Sequence, residues 1–291
     1  MPKTTVPIPT RVLVTGMRHD DGEIVASELY AVAEACGQSS EQVRSCLRRL
    51  VNEGLYVQHG KGRSARYEAT EAGVAHLETS WARTRTAYQQ DAAGRGWDRM
   101  WRLVAFAVPE DRRAARDQLR DRLVALGGAA LQGGVYVSPH PWGDTVRHEA
   151  KRLGLEEHLS LATTDDLEIG GIRDPRLLAR SLWPIDDVAR AYEAFIAEHR
   201  QVPEELEEMR RKKERFRDDH FLPFAFSMAV AMTECTRIDP LLPPELLPRP
   251  WPGRSARDLV LRSRRLALLV REEQHRPALF HLYDLMVEGL S

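Results

Sequence analysis

The sequence has few cysteines, no zinc-binding pattern and no long apolar run, and each shortage excludes a class of protein. Its three cysteines, Cys36, Cys46 and Cys235, form neither a CxxC pair nor a Cys/His cluster, so the spacing predicts no metal site. No segment approaches the ~20 consecutive apolar residues of a membrane span. We therefore expect a cytoplasmic protein with reduced thiols, no cofactor and no membrane partner. Cys36 and Cys46 fall at apolar helical positions, which favours packing over redox sensing for both thiols.

Net charge is also nearly absent, which excludes a protein that binds nucleic acid over its whole surface. The chain of 291 residues holds 42 Lys and Arg against 43 Asp and Glu. Since a protein of that kind would be strongly basic, any contact with DNA must come from a local patch. The hydrophobic fraction of 43% and the charged fraction of 29% are typical of a folded globular protein.

The sequence patterns of common enzymes are missing as well. There is no Gly-x-Ser-x-Gly elbow, no His-Glu-x-x-His and no phosphate-binding Gly-x-x-x-x-Gly-Lys-Ser/Thr loop. A metal-dependent nuclease stays open as an alternative, because Glu110 and Asp111 follow the first strand-like run of the middle region. An acidic pair after Pro109 is more simply a helix N-terminus stabilised by the helix dipole. We therefore predict that the protein is not an enzyme.

Residues 27–54 have the pattern of two helices joined by a tight turn. The first helix is predicted over 27–36 and ends at Gly37, a residue that tolerates a positive φ. Ser39 and Gln42 then have the spacing of a capping box at the start of a second helix, which ends at Gly54. The inward face of this second helix follows the i, i+3, i+4, i+7 spacing: Val43, Cys46, Leu47 and Leu50.

The outward face of the second helix and the segment after it are rich in basic residues. Leu55 to Val57 and Ala65 to Ala69 are typical of two strands around a turn at Gly60–Arg63. Between Arg44 and Tyr67 the chain carries six Lys or Arg and one Glu. A basic helix after a helical turn, followed by a basic hairpin, predicts a winged helix-turn-helix that binds DNA. The predicted DNA contacts are Ser39, Ser40, Gln42, Arg44, Ser45, Arg48, Arg49, Lys61, Arg63 and Arg66.

The rest of the chain predicts two further regions. Strands are expected at 102–108, 131–137 (interrupted by Gly133-Gly134) and 158–163, with helices at 110–126 and 142–153, an order typical of a ferredoxin-like domain. From residue 174 the pattern is helical apart from 240–252. The fold class is thus α+β and mostly α. The predicted division is a winged helix-turn-helix at 1–80, a helix and linker at 81–98, a ferredoxin-like domain at 99–172 and a helical C-terminal domain at 173–291.

Four stretches of this sequence resemble one known family. They are SSEQVRSCLRRLVNEGLYVQHGKGRSARYEATEAG (39–73), WRLVAFAVPEDRRAARDQLRDRL (101–123), RSLWPIDDVARAYEAFIAEH (180–199) and IDPLLPPELLPRPWPG (238–253). Together they resemble the PaaX-type transcriptional repressors, the phenylacetate-degradation regulator family. The first helix of the pair departs from the family pattern, because it carries Tyr30 and Glu34 in place of a hydrophobic opening. The resemblance therefore leaves the operator sequence and the regulated pathway open.

The resemblance implies a homodimer that represses transcription from a palindromic operator on double-stranded DNA. It also implies release by a small effector, which is an aryl-acyl-CoA thioester in the founding members. The family's recognition-helix positions carry over to Gln42, Arg44, Ser45, Arg48 and Arg49, and its wing positions to Lys61, Arg63 and Arg66.

An effector of this kind needs basic groups beside an aromatic pocket. The candidates in the C-terminal region are Arg180, Trp183, Arg217, His220, Phe224 and Arg237. The alternatives are packing for the aromatic residues and a solvated helix face for Arg217. An architectural or interaction protein without an effector also stays open.

Overall fold

The computed structural model describes residues 8–270 except 20, 95, 216 and 217, and it leaves the side chains at 78–81 and 218–220 undescribed. The fold is α+β and mostly helical, with two small antiparallel sheets. Contacts divide the chain into two compact units. Of the described residues, the first unit holds those within 8–89, 192–237 and 253–270, and the second holds those within 90–191 and 238–252. The four-part division expected from the sequence stays a prediction. The contacts give two units built from non-consecutive segments, and they do not test a division into consecutive parts.

The N-terminal part of the first unit contains four helices and a three-stranded sheet. In chain order they are α1 (Thr10–Gly16), β1 (Glu23–Val25), α2 (Ala26–Ala35), α3 (Ser40–Asn52), β2 (Tyr56–His59), β3 (Arg66–Ala69) and α4 (Glu71–Ala93). The sheet has the order β1-β3-β2 and is antiparallel throughout.

The predicted pair of helices is confirmed as α2 and α3. The Ser39 hydroxyl accepts from the Gln42 amide N–H at 3.2 Å, and the Gln42 side chain accepts from the Ser39 amide N–H at 2.8 Å, which completes the capping box. Gly37 has φ +69°, as the turn between the helices requires. Val43, Cys46, Leu47 and Leu50 are all buried, so the predicted inward face of α3 is its core face.

The predicted hairpin is confirmed as β2 and β3, with Tyr56 opposite Ala69 and His59 opposite Arg66. Gly60 and Gly62 both have positive φ, and a short 3₁₀ turn lies between the strands at Gly62–Ser64. The strand β1 was not predicted from the sequence. It pairs with the other edge of β3, where Ile24 lies opposite Tyr67.

The second unit is built on a four-stranded antiparallel sheet. Its elements in chain order are β4 (Trp101–Phe106), α5 (Arg113–Ala125), β5 (Ala129–Gln132), β6 (Val135–Ser138), α6 (Gly143–Leu153) and β7 (Leu159–Thr164). The strand order is β5-β6-β4-β7. A core cluster that includes Val104, Leu119, Leu123, Val146 and Leu155 joins the sheet to both helices.

One predicted strand of this region was wrong. The run 131–137 is not one interrupted strand but parts of two, β5 and β6, which pair with each other in an antiparallel hairpin. The reason is Gly134, whose φ of +76° lets the chain reverse direction. A Cβ at Gly134 would also overlap the carbonyl oxygen of Phe106, so the hairpin needs glycine at this position.

Helices make up most of the remaining chain, as the sequence predicts. They are α7 (Pro175–Leu182), α8 (Ile185–His199), α9 (Val202–Arg211), α10 (Asp218–Ile238) and α11 (Pro252–Val270). In the part of the chain that is described, no helix is both long and apolar enough to span a membrane. The same residues contain no group of three or more His, Cys, Asp or Glu placed to hold a metal ion.

Candidate functional site

The predicted DNA contacts lie on two elements of the first unit, the helix α3 and the hairpin β2–β3. Every one of them is solvent-exposed: Ser39, Ser40, Gln42, Arg44, Ser45, Arg48, Arg49, Lys61, Arg63 and Arg66. The side chains of Ser39 and Gln42 are engaged in the capping box, so the other predicted contacts on α3 are Ser40, Ser45 and the three arginines.

Two of the α3 arginines share one carboxylate. Glu41 lies 2.7 Å from Arg44 and 3.4 Å from Arg48, measured between side-chain oxygen and nitrogen atoms. All three side chains are more than half exposed, and exposed ion pairs contribute about 0–1 kcal/mol. The pairs can therefore exchange at little cost for contacts with another acceptor, such as a phosphate anion or the neutral O6 and N7 edge of a guanine.

Arg44 on the helix also lies close to the hairpin. Burial raises the pKa of the Tyr67 hydroxyl, and the charge of Arg44 is close enough to oppose that shift. Tyr67 lies on β3, so the basic face of α3 and the hairpin are neighbours in the folded chain.

Arg49 has a different environment from the other α3 arginines. Burial raises the pKa of the Cys46 thiol, and the guanidinium groups of Arg49 and Arg11 oppose the shift. Because Arg49 and Arg11 of α1 both act on the same thiol, Arg49 lies towards the flank of the helix that faces α1. At Cys36, burial raises the thiol pKa to about 12, which keeps it protonated at neutral pH and favours packing over redox sensing.

The turn of the hairpin carries two exposed cations. Among the described residues, Lys61 and Arg63 form no ion pair, whereas Arg66 pairs with Glu23 at 2.6 Å. The backbone of the turn is fixed by side chains, since the Ser64 hydroxyl donates to the Lys61 carbonyl at 3.0 Å. The hairpin therefore presents two positive charges on a well-defined turn.

Sequence reasoning missed one polar residue on the exposed face of α3. Asn52 is exposed and lies four residues after Arg48, so it continues the same face of the helix. An Asn amide can form paired hydrogen bonds with adenine. The i, i+4 spacing from Arg48 was the signal that could have identified it.

A junction at Thr70–Gly73, which the sequence did not reveal, joins the start of α4 to the segment after α3. The Thr70 hydroxyl donates to the Gly54 carbonyl at 2.6 Å and accepts from the Gly73 amide N–H at 3.0 Å. The Thr70 amide N–H donates to the Leu55 carbonyl at 3.0 Å. A Cβ at Gly73 would overlap that same carbonyl oxygen, so α4 begins in direct contact with the segment between α3 and β2.

The described effector candidates are divided between the two units, with Arg180 and Trp183 in the second and Phe224 and Arg237 in the first. Arg180 is exposed and pairs with Asp186, and Arg237 is exposed and pairs with Glu234. Trp183 is 5% exposed, and its indole N–H donates to the Gly127 carbonyl at 3.0 Å within the core of the second unit. Arg217 and the side chain of His220 lie outside the described residues.

The remaining candidate, Phe224, lines a cavity inside the first unit. The cavity has a volume of about 140 Å³ and lies between α4, α10 and α11. Its walls are mainly apolar and include Ala87 and Tyr88 from α4 and Met228 from α10. Ser263 of α11 adds a polar group that is 1% exposed.

Of the two carboxylates considered for a nuclease, Glu110 is paired with neighbouring arginines. Glu110 lies 3.0 Å from Arg116 and 3.7 Å from Arg113, and it belongs to a short 3₁₀ turn before α5. These pairs satisfy the carboxylate without a metal ion, which favours the helix-terminus interpretation.

Three family models match consecutive parts of the chain. The model described as "PaaX-like protein" matches residues 10–73, "PaaX protein central Cas2-like domain" matches 94–178, and "PaaX-like protein C-terminal domain" matches 183–275. The transcriptional repressor PaaX of Escherichia coli (strain K12) is 28% identical over 254 residues, which cover 84% of this chain and 74% of that protein.

A solved structure is similar over most of the chain. It is an uncharacterized protein from Mycobacterium tuberculosis, with a TM-score of 0.54 and 21% identity over 89% of this chain and 94% of that one. At this identity the likeness concerns the fold alone.

Proposed function

Because the chain belongs to the PaaX-type family, we propose that it is a transcriptional repressor that binds double-stranded DNA through α3 and the β2–β3 hairpin. The observation that carries the proposal is the pair of exposed basic elements, with Arg44 and Arg48 on the helix and Lys61 and Arg63 on the turn. Their positive charge is local, in a chain whose formal net charge is −1.

In this proposal the N-terminal part is a winged helix-turn-helix, and α3 is its recognition helix. Arg44 and Arg48 extend into the major groove, where an arginine can bind guanine O6 and N7 together. The hairpin is the wing, and Lys61 and Arg63 contact phosphates or reach the minor groove. The order β4-α5-β5-β6-α6-β7 supports a ferredoxin-like middle domain, followed by a helical C-terminal region.

We further propose that the repressor is a homodimer on a palindromic operator. Two recognition helices would then contact half-sites about 34 Å apart, or a multiple of that distance. A small effector, of the aryl-acyl-CoA thioester class, would release the protein from DNA. For release, the effector must bind the form that cannot bind DNA more tightly than the form that can.

The test of the DNA-binding face uses single substitutions on a duplex selected from a random library with the wild-type protein. We expect Arg44→Ala or Arg48→Ala to cost about 1–3 kcal/mol of binding free energy, as loss of a base contact does. The matched control is Arg147→Ala. Arg147 is also an exposed helical arginine, and it pairs with Asp144 at 2.9 Å with the same i, i+3 spacing as Glu41 and Arg44.

The measurement is an equilibrium titration followed by fluorescence anisotropy of the labelled duplex. Wild-type affinity in both α3 variants would remove the recognition-helix assignment. An equal loss in the Arg147→Ala control would show that the effect is not specific to α3.

A further inference from the structure

The cavity between α4, α10 and α11 has the size of a small ligand site. We propose that it binds an aromatic group about the size of a benzene ring, and that a polar substituent of this ligand forms a hydrogen bond with the Ser263 hydroxyl. The volume is about 140 Å³. Apolar cavities of about 150 Å³ stay dry in water and bind benzene or xenon.

Among the polar residues of the wall, Ser263 indicates what the ligand must carry. Ser263 is 1% exposed, and its hydroxyl has no hydrogen-bond partner in the described structure. A buried polar atom without a partner is rare in folded proteins and costs free energy. A ligand with one hydrogen-bonding substituent would supply the missing partner when it enters the cavity.

The other walls favour an aromatic ligand over a flexible aliphatic one. Tyr88, Phe221 and Phe224 are buried around the cavity together with Met228. Aromatic side chains gain from edge-to-face contacts with another ring, and a thioether sulfur also packs favourably against a ring.

The position of the cavity connects it to the proposed DNA-binding elements, and this part of the inference rests on the proposed function. The helix α4 reaches from the Thr70–Gly73 junction to the cavity wall at Thr84, which is about 16 Å at 1.5 Å per residue. Because the junction binds α4 to the ends of α3 and β2, a shift of α4 at the cavity would also move the basic helix. For an aryl-acyl-CoA, the cavity has room for the aryl end only.

The test uses phenol and toluene as probes on the full chain, because they are nearly equal in shape and only phenol can pair with a hydroxyl. By isothermal titration calorimetry we expect saturable binding of both, with phenol about 5-fold tighter, as one net hydrogen bond provides. In Ser263→Ala the preference for phenol should disappear, while toluene binding should be retained.

A second variant tests the position of the ligand independently of Ser263. Ala229→Leu places a larger side chain in the wall and should abolish binding of both probes. The matched control is Ala82→Leu, at an exposed position of α4 outside the cavity lining, which should bind both probes like the wild type.

The proposal is overturned if the wild type shows no saturable binding, if Ser263→Ala keeps the preference for phenol, or if Ala229→Leu binds normally. A DNA titration on the same preparations separates the two claims. Absent probe binding with normal DNA binding rejects the cavity site alone. Absent DNA binding with normal probe binding rejects the proposed function and leaves the cavity site standing.

Discussion

At the scale of single residues, Glu41 lowers the net positive charge on the exposed face of α3. It pairs with both Arg44 and Arg48 and lies on the same exposed face. We expect Glu41→Gln to increase DNA affinity several-fold for all duplexes, because it removes a negative charge that phosphates would meet and frees both arginines. Fluorescence anisotropy titrations on two unrelated duplexes measure the effect.

The control for Glu41→Gln is Asp144→Asn, which breaks the comparable exposed pair with Arg147 on α6. This substitution should leave DNA affinity unchanged. Unchanged or weaker binding by Glu41→Gln would mean that the carboxylate does not face DNA. A small loss of folding stability, about 0.3–1 kcal/mol, is expected in addition, since Glu41 lies in the first turn of α3.

The sequence predicted which side chains of α3 are buried and which are exposed. It predicted only some of the contacts that these side chains make. Helical periodicity separated the buried Val43 and Leu47 from the exposed Arg44 and Arg48, because burial follows the 3.6-residue repeat. The i, i+3 spacing of Glu41 and Arg44 was visible in the sequence. The contact of Arg49 with Cys46 depends on how α1 packs against α3, which no local pattern reports.

At the scale of elements, the start of α4 depends on the absence of a side chain at Gly73. Replacing glycine by alanine inside a helix normally stabilises it by about 1 kcal/mol. We expect the opposite sign for Gly73→Ala, a loss of about 1–3 kcal/mol, because the new Cβ would overlap the Leu55 carbonyl oxygen. Urea unfolding followed by circular dichroism measures the change.

Gly143→Ala is the control for this prediction. Gly143 begins α6, and a Cβ there would meet only the flexible guanidinium of Arg147 at 3.4 Å. Equal effects of the two substitutions would contradict the close contact at the junction. A stabilised Gly73→Ala would show that α4 is not fastened to the segment after α3.

Elements with strong local signals could be predicted, and elements defined by distant contacts could not. The capping-box spacing predicted where α3 begins, and the glycines of the turn predicted the hairpin. The strand β1 has three residues, too few for an alternating pattern, and it exists because β3 offers a free edge. The cavity combines α4 with α10 and α11, which lie more than a hundred residues later in the chain.

At the scale of the whole molecule, the family models and the contacts group the residues of the chain differently. The models match three consecutive segments, whereas the contacts join the described residues of 8–89 with those of 192–237 and 253–270 in one unit. Sequence reasoning works along the chain and therefore placed the C-terminal helices in a domain of their own. Their grouping with the basic helix places the cavity and the proposed DNA-binding face in one unit.

The measurement that tests the central claim most directly is the salt dependence of DNA affinity for the wild type and for Lys61→Ala/Arg63→Ala. Each phosphate contact contributes about 0.9 to the slope of log affinity against log salt concentration. The control is Arg147→Ala/Lys151→Ala, which removes two exposed cations from α6. The account predicts a slope flatter by nearly two units in the hairpin variant and unchanged in the control. An unchanged slope in the hairpin variant would contradict it.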